Sequence, residues 1–376
     1  MWERLASRLT ISQWVAVVTV AVLLVLPLLL DPLPLRRIAG VVVLTLAVLG
    51  LVVATGYTGL ISLGHGAFVG LGAFALASYV DVVGLPYAAA LPATFVTCWA
   101  VGWVLGLPAL RIKGIYLALI TLGVGVVFPS LAKRFPALTG GVSGRAIDNT
   151  LEAPAWFGAD NTITFRYYVC LAVCALLFLV TRNLLQSRIG RSMQAVRDDE
   201  TSAAVFGVDL VATKTGAFAL SAALAGMAGA LQATLSPFVS HEQFTVFLSF
   251  RLYAAAVIGG AAYLVGAVYG VIALILVPFV NGLLGVLDND VFVFGAGLIL
   301  LTFVSPDGLA GLVRRWEQRR AAGEDGQDDG RDGGPTRPVS RGGGDGWGSG
   351  GGSELAGLPT PTRRFPDVTS GTSPPG

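Results

Sequence analysis

Residues 38–80 read IAGVVVLTLAVLGLVVATGYTGLISLGHGAFVGLGAFALASYV and contain no Asp, Glu, Lys or Arg. A bilayer core about 30 Å thick takes about 20 mostly apolar residues per helix. An uncharged run this long is therefore two crossings, and Thr55-Gly-Tyr-Thr-Gly59 supplies the small residues at which it folds back.

Working outward, Arg4 and Arg8 precede an apolar run from Ile11 to Leu30. No A-x-A-like cleavage site follows it, only Asp31-Pro-Leu-Pro34, so it reads as an uncleaved first span. Leu85–Leu107, Ile115–Leu131, Tyr167–Val180 (between Arg166 and Arg182) and Thr215–Leu235 are further spans. Leu252–Leu287 is again uncharged and too long for one crossing. A break at Gly259-Gly260 divides it into Phe247–Ile258 and Tyr263–Val280, and Val291–Val304 is the last span. The expected fold is an all-α integral membrane protein, a polytopic bundle of about 8–10 transmembrane helices.

Composition agrees. Of 376 residues, 54% are hydrophobic and 13% charged, with mean hydropathy +0.72; soluble domains carry about 25% charge. Nine basic and nine acidic residues fall from Arg314 onward, leaving only 16 and 14 in the first 313. That is too little to coat a water-facing surface of this size, which excludes a soluble enzyme. The net charge of +2 and the lack of a basic patch interleaved with aromatics exclude nucleic acid as a partner.

Lys/Arg placement orients the spans. With the N-terminus inside, inner segments carry Arg4, Arg8, Arg111, Lys113, Arg182, Arg188, Arg191, Arg197 and Lys214, and Arg314, Arg315, Arg319 and Arg320 follow the last span. The outer side receives Arg36, Arg37, Lys133, Arg134, Arg145 and Arg166. Both termini and the polar segment 181–214 then face the cytoplasm, and 132–166 faces out. The expected organisation is a transmembrane domain over 1–313 and a disordered cytoplasmic tail over 314–376. From Ala321 that tail holds 16 Gly and 7 Pro in 56 residues, with little to bury.

Glycines recur at short spacing in Gly64-His-Gly66, Gly70-Leu-Gly72, Gly226-Met-Ala-Gly229, Gly259-Gly260 and Gly266-Ala-Val-Tyr-Gly270. They either let helix backbones approach closely in lipid or let helices break within the membrane along a substrate route. Cys98, Cys170 and Cys174 sit in apolar runs and read as small buried hydrophobes.

Between spans six and seven, Met193, Val196, Ala203, Ala204 and Phe206 recur at about helical period over 187–208, with Gly207 placed to end the helix. Such a helix either docks in a groove on a partner protein or lies on lipid.

This segment resembles the cytoplasmic coupling loop of ABC importer permeases, whose motif orders a Glu, a pair of Ala and a Gly as Glu200, Ala203, Ala204 and Gly207 are ordered here. More specifically, Tyr57-Thr-Gly-Leu-Ile-Ser-Leu-Gly-His-Gly-Ala-Phe68 is similar to the G-Y-x-G-x-x-S-L-G-H-x-x-F signature of branched-chain amino acid ABC transporter permeases of the LivM type. Arg111-Ile-Lys-Gly-Ile-Tyr-Leu-Ala-Leu-Ile-Thr121, Leu138-Thr-Gly-Gly141, Ala195-Val-Arg-Asp-Asp-Glu200, Ser221-Ala-Ala-Leu-Ala-Gly-Met-Ala-Gly229 and Pro306-Asp-Gly-Leu-Ala-Gly311 fit in chain order. Ala262 and Ala267 depart from the family's usual Gly and Pro after Gly259-Gly260.

The resemblance implies a permease subunit of an ATP-driven importer in a bacterial cell membrane, with branched-chain amino acids as substrate and urea or short amides as the alternative. It implies ABC ATPase subunits, a homologous second permease and an extracytoplasmic solute-binding protein as partners. Coupling to the ATPase would fall on Arg191, Arg197, Glu200, Ala203, Ala204 and Gly207. The path and its helix breaks would fall on Tyr57, Ser62, Gly64, His65, Gly140, Gly141, Gly259 and Gly260.

No G-x-x-x-x-G-K-[ST] occurs, so the chain is expected to hold no cofactor and to leave ATP to partner subunits. No catalytic or metal constellation is expected with two histidines, His65 and His241. An ion-coupled secondary transporter is the reading from another class. It calls for intramembrane carboxylates, of which the predicted spans offer only Asp81 near one end. His65 either bonds helix to helix or lines the route. Arg251 either meets a substrate carboxylate or snorkels. Gly140-Gly141 either makes a tight turn or offers backbone amides to an anion.

Overall fold

The computed structural model describes residues 21–107, 115–154, 157, 161–274 and 308–312. Helix α1 spans Pro32–Leu51 and runs on as a π-helical segment, Val52–Tyr57. Then follow α2 (His65–Asp81), α3 (Tyr87–Gly106), α4 (Ile115–Arg134), α5 (Thr162–Gln186), α6 (Arg188–Asp198), α7 (Glu200–Val205), α8 (Leu210–Leu235) and α9 (Val246–Gly259). Residues 21–29 and 266–274 are also helical. Among the described residues five helices are long and apolar enough to cross a membrane: Pro32–Tyr57, Tyr87–Gly106, Tyr116–Arg134, Thr162–Gln186 and Leu210–Leu235. The all-α expectation holds, apart from an antiparallel pair of two-residue strands, β1 (Arg145–Ala146) and β2 (Phe238–Val239). Val291–Val304, the tail, residues 11–20 of the first span and residues 275–280 of the span Tyr263–Val280 lie outside the described residues.

Pro32 and Pro34 start α1 where their missing amides cost nothing. In the uncharged run 38–80 the fold-back falls where the sequence reading put it. Its mechanism is a widened helical turn followed by non-helical backbone before His65. Exposed backbone groups are costly in hydrocarbon, and here threonines take them up. Thr58 Oγ1 donates to the Val53 carbonyl (3.2 Å) and Thr55 Oγ1 to the Leu60 carbonyl (3.1 Å), while the Leu60 amide reaches Ala54 (2.8 Å).

The centre of the bundle is α8. Its most apolar window is 89% buried, against 17% for α5, which lies at the periphery. It packs on α1, α2 and α3. Closeness comes from small residues: a Cβ on Gly72 would collide with the Gly226 carbonyl, and one on Gly229 with that of Val69. The α2–α8 crossing therefore has backbone against backbone, and dispersion and weak polar contacts supply the attraction that water would supply elsewhere. All three cysteines are free and buried.

The sixth predicted span is corrected. Tyr167–Val180 extends to Thr162–Gln186, with Arg166 and Arg182 inside the helix. A long arginine side chain can reach polar surroundings from within a helix, so it does not mark its end. Arg166 Nε donates to the Leu151 carbonyl at 2.7 Å.

Charged and polar ties gather at two ends of the bundle. One end joins Arg197 to Gly56 and Glu200 to Lys214. The other joins Arg36 to Ser236, Asp81 to Arg145 and Asn149, and Arg166 to Leu151.

Candidate functional site: a peripheral helix pair and a mid-bundle junction

The segment 187–208 is two helices rather than one. Ser187 caps α6, accepting from the Ile189 amide at 3.2 Å. Asp199 is extended (φ −157°, ψ 115°), ends α6, and caps α7 through the Ser202 amide at 2.5 Å. That residue shifts the helical phase. Met193, Val196 and Ala203 are buried against the bundle, whereas Ala204 is exposed and Val205 and Phe206 are 80% and 86% exposed. The expectation of Ala204 and Phe206 on the same apolar side as Ala203 is thus corrected. Gly207 has φ +81°, a left-handed conformation in which a non-glycine residue is strained, and it ends α7. Arg191 is exposed and reaches the Gln186 carbonyl at 3.4 Å.

Two side chains fasten this pair to the bundle. Arg197 Nη1 donates to the Gly56 carbonyl in the π segment at 2.5 Å, its stem lying over Gly59 with Cγ 3.6 Å from where a Cβ there would stand. Glu200 Oε1 is 2.7 Å from Lys214 Nζ at the start of α8, with the lysine side chain 4% exposed. Exposed ion pairs contribute about 0–1 kcal/mol, whereas removing one member of a buried pair costs about 3–5 kcal/mol. Glu200 is accordingly a structural tie to α8. Sequence reading counted Lys214 only as an orienting charge; no periodic signal links residues 200 and 214.

Deeper in the bundle, His65 begins α2, 1% exposed. Its Nε2 lies 2.6 Å from Ser221 Oγ on α8, and Ser221 Oγ donates to the Gly50 carbonyl of α1 at 2.6 Å. With the serine proton committed to Gly50, the ring must donate from Nε2, leaving Nδ1 to accept from Ser62 Oγ at 3.0 Å. A neutral imidazole thus satisfies both partners and joins three helices with the 58–64 segment. His65 thus bonds helix to helix, from α2 to α8. Eleven residues from Leu210, Ser221 lies about 17 Å along α8, well inside the span. Ser221 went unassigned as a site residue, although a lone hydroxyl in an apolar run was the available signal.

Around this junction, Gly64 packs on the Thr121 carbonyl, and the Gly66 amide donates to Ser249 Oγ of α9 at 2.9 Å. Tyr57 is half-buried at the end of the π segment. Gly259 ends α9 and Gly260 (φ +99°) turns the chain, with Gly259 against the Gly266 carbonyl. Ala267 is buried and Ala262 exposed, so the departures from the family pattern are accommodated around this turn.

Gly140 and Gly141 stand far from the junction, at the Asp81 end. The Gly140 amide donates to Pro136 at 2.9 Å and that of Gly141 to Thr139 Oγ1 at 3.1 Å. Both amides are used internally, which is the tight-turn reading. Arg251 is exposed in the middle of α9. Among the described residues no cluster of His, Cys, Asp and Glu fits a metal ion.

Residues 34–302 match the family described as branched-chain amino acid transport system, permease component. The chain is 31% identical over 289 residues to the high-affinity branched-chain amino acid transport system permease protein LivM of Escherichia coli strain K12, covering 71% of this chain and 67% of that protein. The Salmonella typhimurium protein of the same name is also 31% identical, over 292 residues and the same shares. A probable branched-chain amino acid transport permease protein LivH of Methanocaldococcus jannaschii is 23% identical over 239 residues, 60% of this chain and 73% of that one. No solved structure matches. The long apolar helices, the G-Y-x-G-x-x-S-L-G-H signature at the break and the match across most of the chain agree: this multi-pass membrane protein belongs to the branched-chain amino acid transport system permease family.

Proposed function

We propose that the chain is the membrane-spanning permease subunit of an ATP-driven importer of branched-chain amino acids. It pairs with a homologous second permease, two ABC ATPase subunits and an extracytoplasmic solute-binding protein in a bacterial cell membrane. Both termini and the α6–α7 pair face the cytoplasm. The chain itself takes no cofactor; ATP is bound and hydrolysed by the ATPase subunits.

The observation that carries this reading is the helix pair fixed to the bundle on one face while presenting Val205 and Phe206 to the outside. An aromatic and an aliphatic side chain side by side on a rigid support are what a hydrophobic pocket on a partner takes as anchors. Ala204 is exposed beside them and its small side chain lets a partner surface approach closely. Closing and opening of the ATPase pair would then move α6–α7, and with them the helices to which they are tied. The mid-bundle break gives those helices a place to rearrange. A polar residue within a span ordinarily faces the bundle interior or a cavity; here Ser62, His65 and Ser221 face one another.

The test is uptake. Vesicles holding this chain with its companion permease, ATPase and binding protein should accumulate labelled leucine only when ATP is supplied inside. Accumulation that survives ATP depletion and collapses with an ion gradient would replace this reading with ion-coupled transport. Accumulation of urea in place of leucine under the same conditions would reassign the substrate while keeping the ATP-driven assembly.

A further inference from the structure

The ties that fasten α6–α7 to the bundle do not spread evenly over it. Arg197 holds the Gly56 carbonyl in the π segment that ends α1, and Glu200 holds Lys214, the fifth residue of α8. These same two helices, α1 and α8, meet again inside the bundle, where Ser221 of α8 donates to Gly50 of α1 and accepts from His65. His65 in turn is the first residue of α2. From Gly56 to Gly50, and from Lys214 to Ser221, are stretches of six and seven residues of helix, about two turns each.

We propose that Arg197 and Glu200 are positioning residues that transmit movement of the peripheral helix pair into the membrane, by two parallel levers that converge on the Gly50–Ser221–His65 junction. This rests on the reading of the chain as an ATP-driven permease and adds to it which side chains carry the coupling. The physical basis is the difference in stiffness between the levers and their surroundings. Glu200 and Lys214 form a short ion pair whose lysine is buried, and Arg197 bonds a backbone carbonyl, not a rotatable side chain. Met193, Val196 and Ala203 add buried apolar surface, which can slide. At the far end the π segment already departs from α geometry, so a pull on Gly56 acts where the helix is least regular. A shift of α1 against α8 cannot leave the junction unchanged. The serine hydroxyl has one proton, given to Gly50, so separating the helices breaks that bond or the one from His65.

The experiment is the number of leucine molecules taken up per ATP hydrolysed by the complete four-component transporter in vesicles. Four forms are compared: unaltered, Arg197→Gln, Glu200→Gln, and the exchanged pair Glu200→Lys with Lys214→Glu. Side chains along such a network alter coupling by about 2- to 30-fold. Uptake per ATP should fall within that range for each single substitution, with the exchanged pair recovering above Glu200→Gln. A purely structural role would lower the amount of inserted complex while leaving uptake per ATP as it was, and that result overturns the proposal. If Glu200→Gln does not accumulate in the membrane, Arg197→Gln, an exposed side chain, decides by the same ratio. Absence of ATP-dependent uptake by the unaltered complex would instead remove the underlying functional reading.

Discussion

The two ends of the bundle are both held by arginines, yet they are built differently. At the Asp81 end the ties close a lid. Arg145 reaches the Ala137 and Leu138 carbonyls, each at 3.1 Å, and pairs with Asp81 at 3.7 Å. Ser78 donates to Leu138, the Asn149 amide to Asp81, and β1 pairs with β2. Three of these ties seat 132–150 on α2. At the other end, two ties hold α6–α7 so that Val205 and Phe206 project. One end fastens a covering segment; the other fastens a handle. The same chemistry serves both, and what differs is whether the exposed apolar side chains stand on a covering segment, as Phe135, Leu138 and Val142 do, or on a tied pair of helices, as Val205 and Phe206 do.

Breaking the handle without touching its ties should have the largest effect. Replacing Val205 and Phe206 with Asp should cut ATP-driven leucine uptake by more than about tenfold, because interface anchors are each worth about 2 kcal/mol or more. The inserted amount and the melting temperature in detergent should stay as they were. Removing His65, which stands between the ends, comes next. His65→Ala leaves the Ser62 and Ser221 hydroxyls short of a buried partner, at about 1–3 kcal/mol each, so the melting temperature should fall along with uptake. Arg145→Ala at the lid should cost about 2 kcal/mol, since Asp81 stays buried but keeps the Asn149 amide. The double variant with Asp81→Asn should recover part of that loss in the same melting measurement. Gly207→Ala is expected to be the smallest. Nothing lies within 4 Å of a Cβ there, so only the φ of +81° resists it, at about 1–2 kcal/mol by chemical denaturation. A handle variant that lowered stability, or a lid variant that spared it, would erase the distinction between the two ends.

Much of this architecture was legible in the residues. Uncharged length set the crossings, and glycines and threonines at Thr55–Gly59 and Gly259-Gly260 marked the turns, because those residues tolerate backbone that helices do not. What was not legible depends on phase and on distance in sequence. The extended Asp199 resets the helical register, so extrapolating the period from Met193 and Val196 put Ala204 and Phe206 on the wrong side. The α5 boundaries were drawn at Arg166 and Arg182 because charge was treated as an end. The Glu200–Lys214 and Ser221–Gly50 partnerships join residues 14 and 171 positions apart, and no pattern in one sequence couples them. Gly64 and His65 stand out as site residues through the family signature, whereas Ser221 heads another matching stretch without being marked as their partner.

The bond pattern around His65 has one more consequence. A neutral ring that donates from Nε2 to Ser221 and accepts at Nδ1 from Ser62 satisfies both partners with no charge to bury. A full charge moving through the whole membrane field would gain or lose about 2.3 kcal/mol per 100 mV. An uncharged ring feels no such pull, so the signature histidine adds no voltage sensitivity to leucine accumulation, however far its helix travels during a cycle.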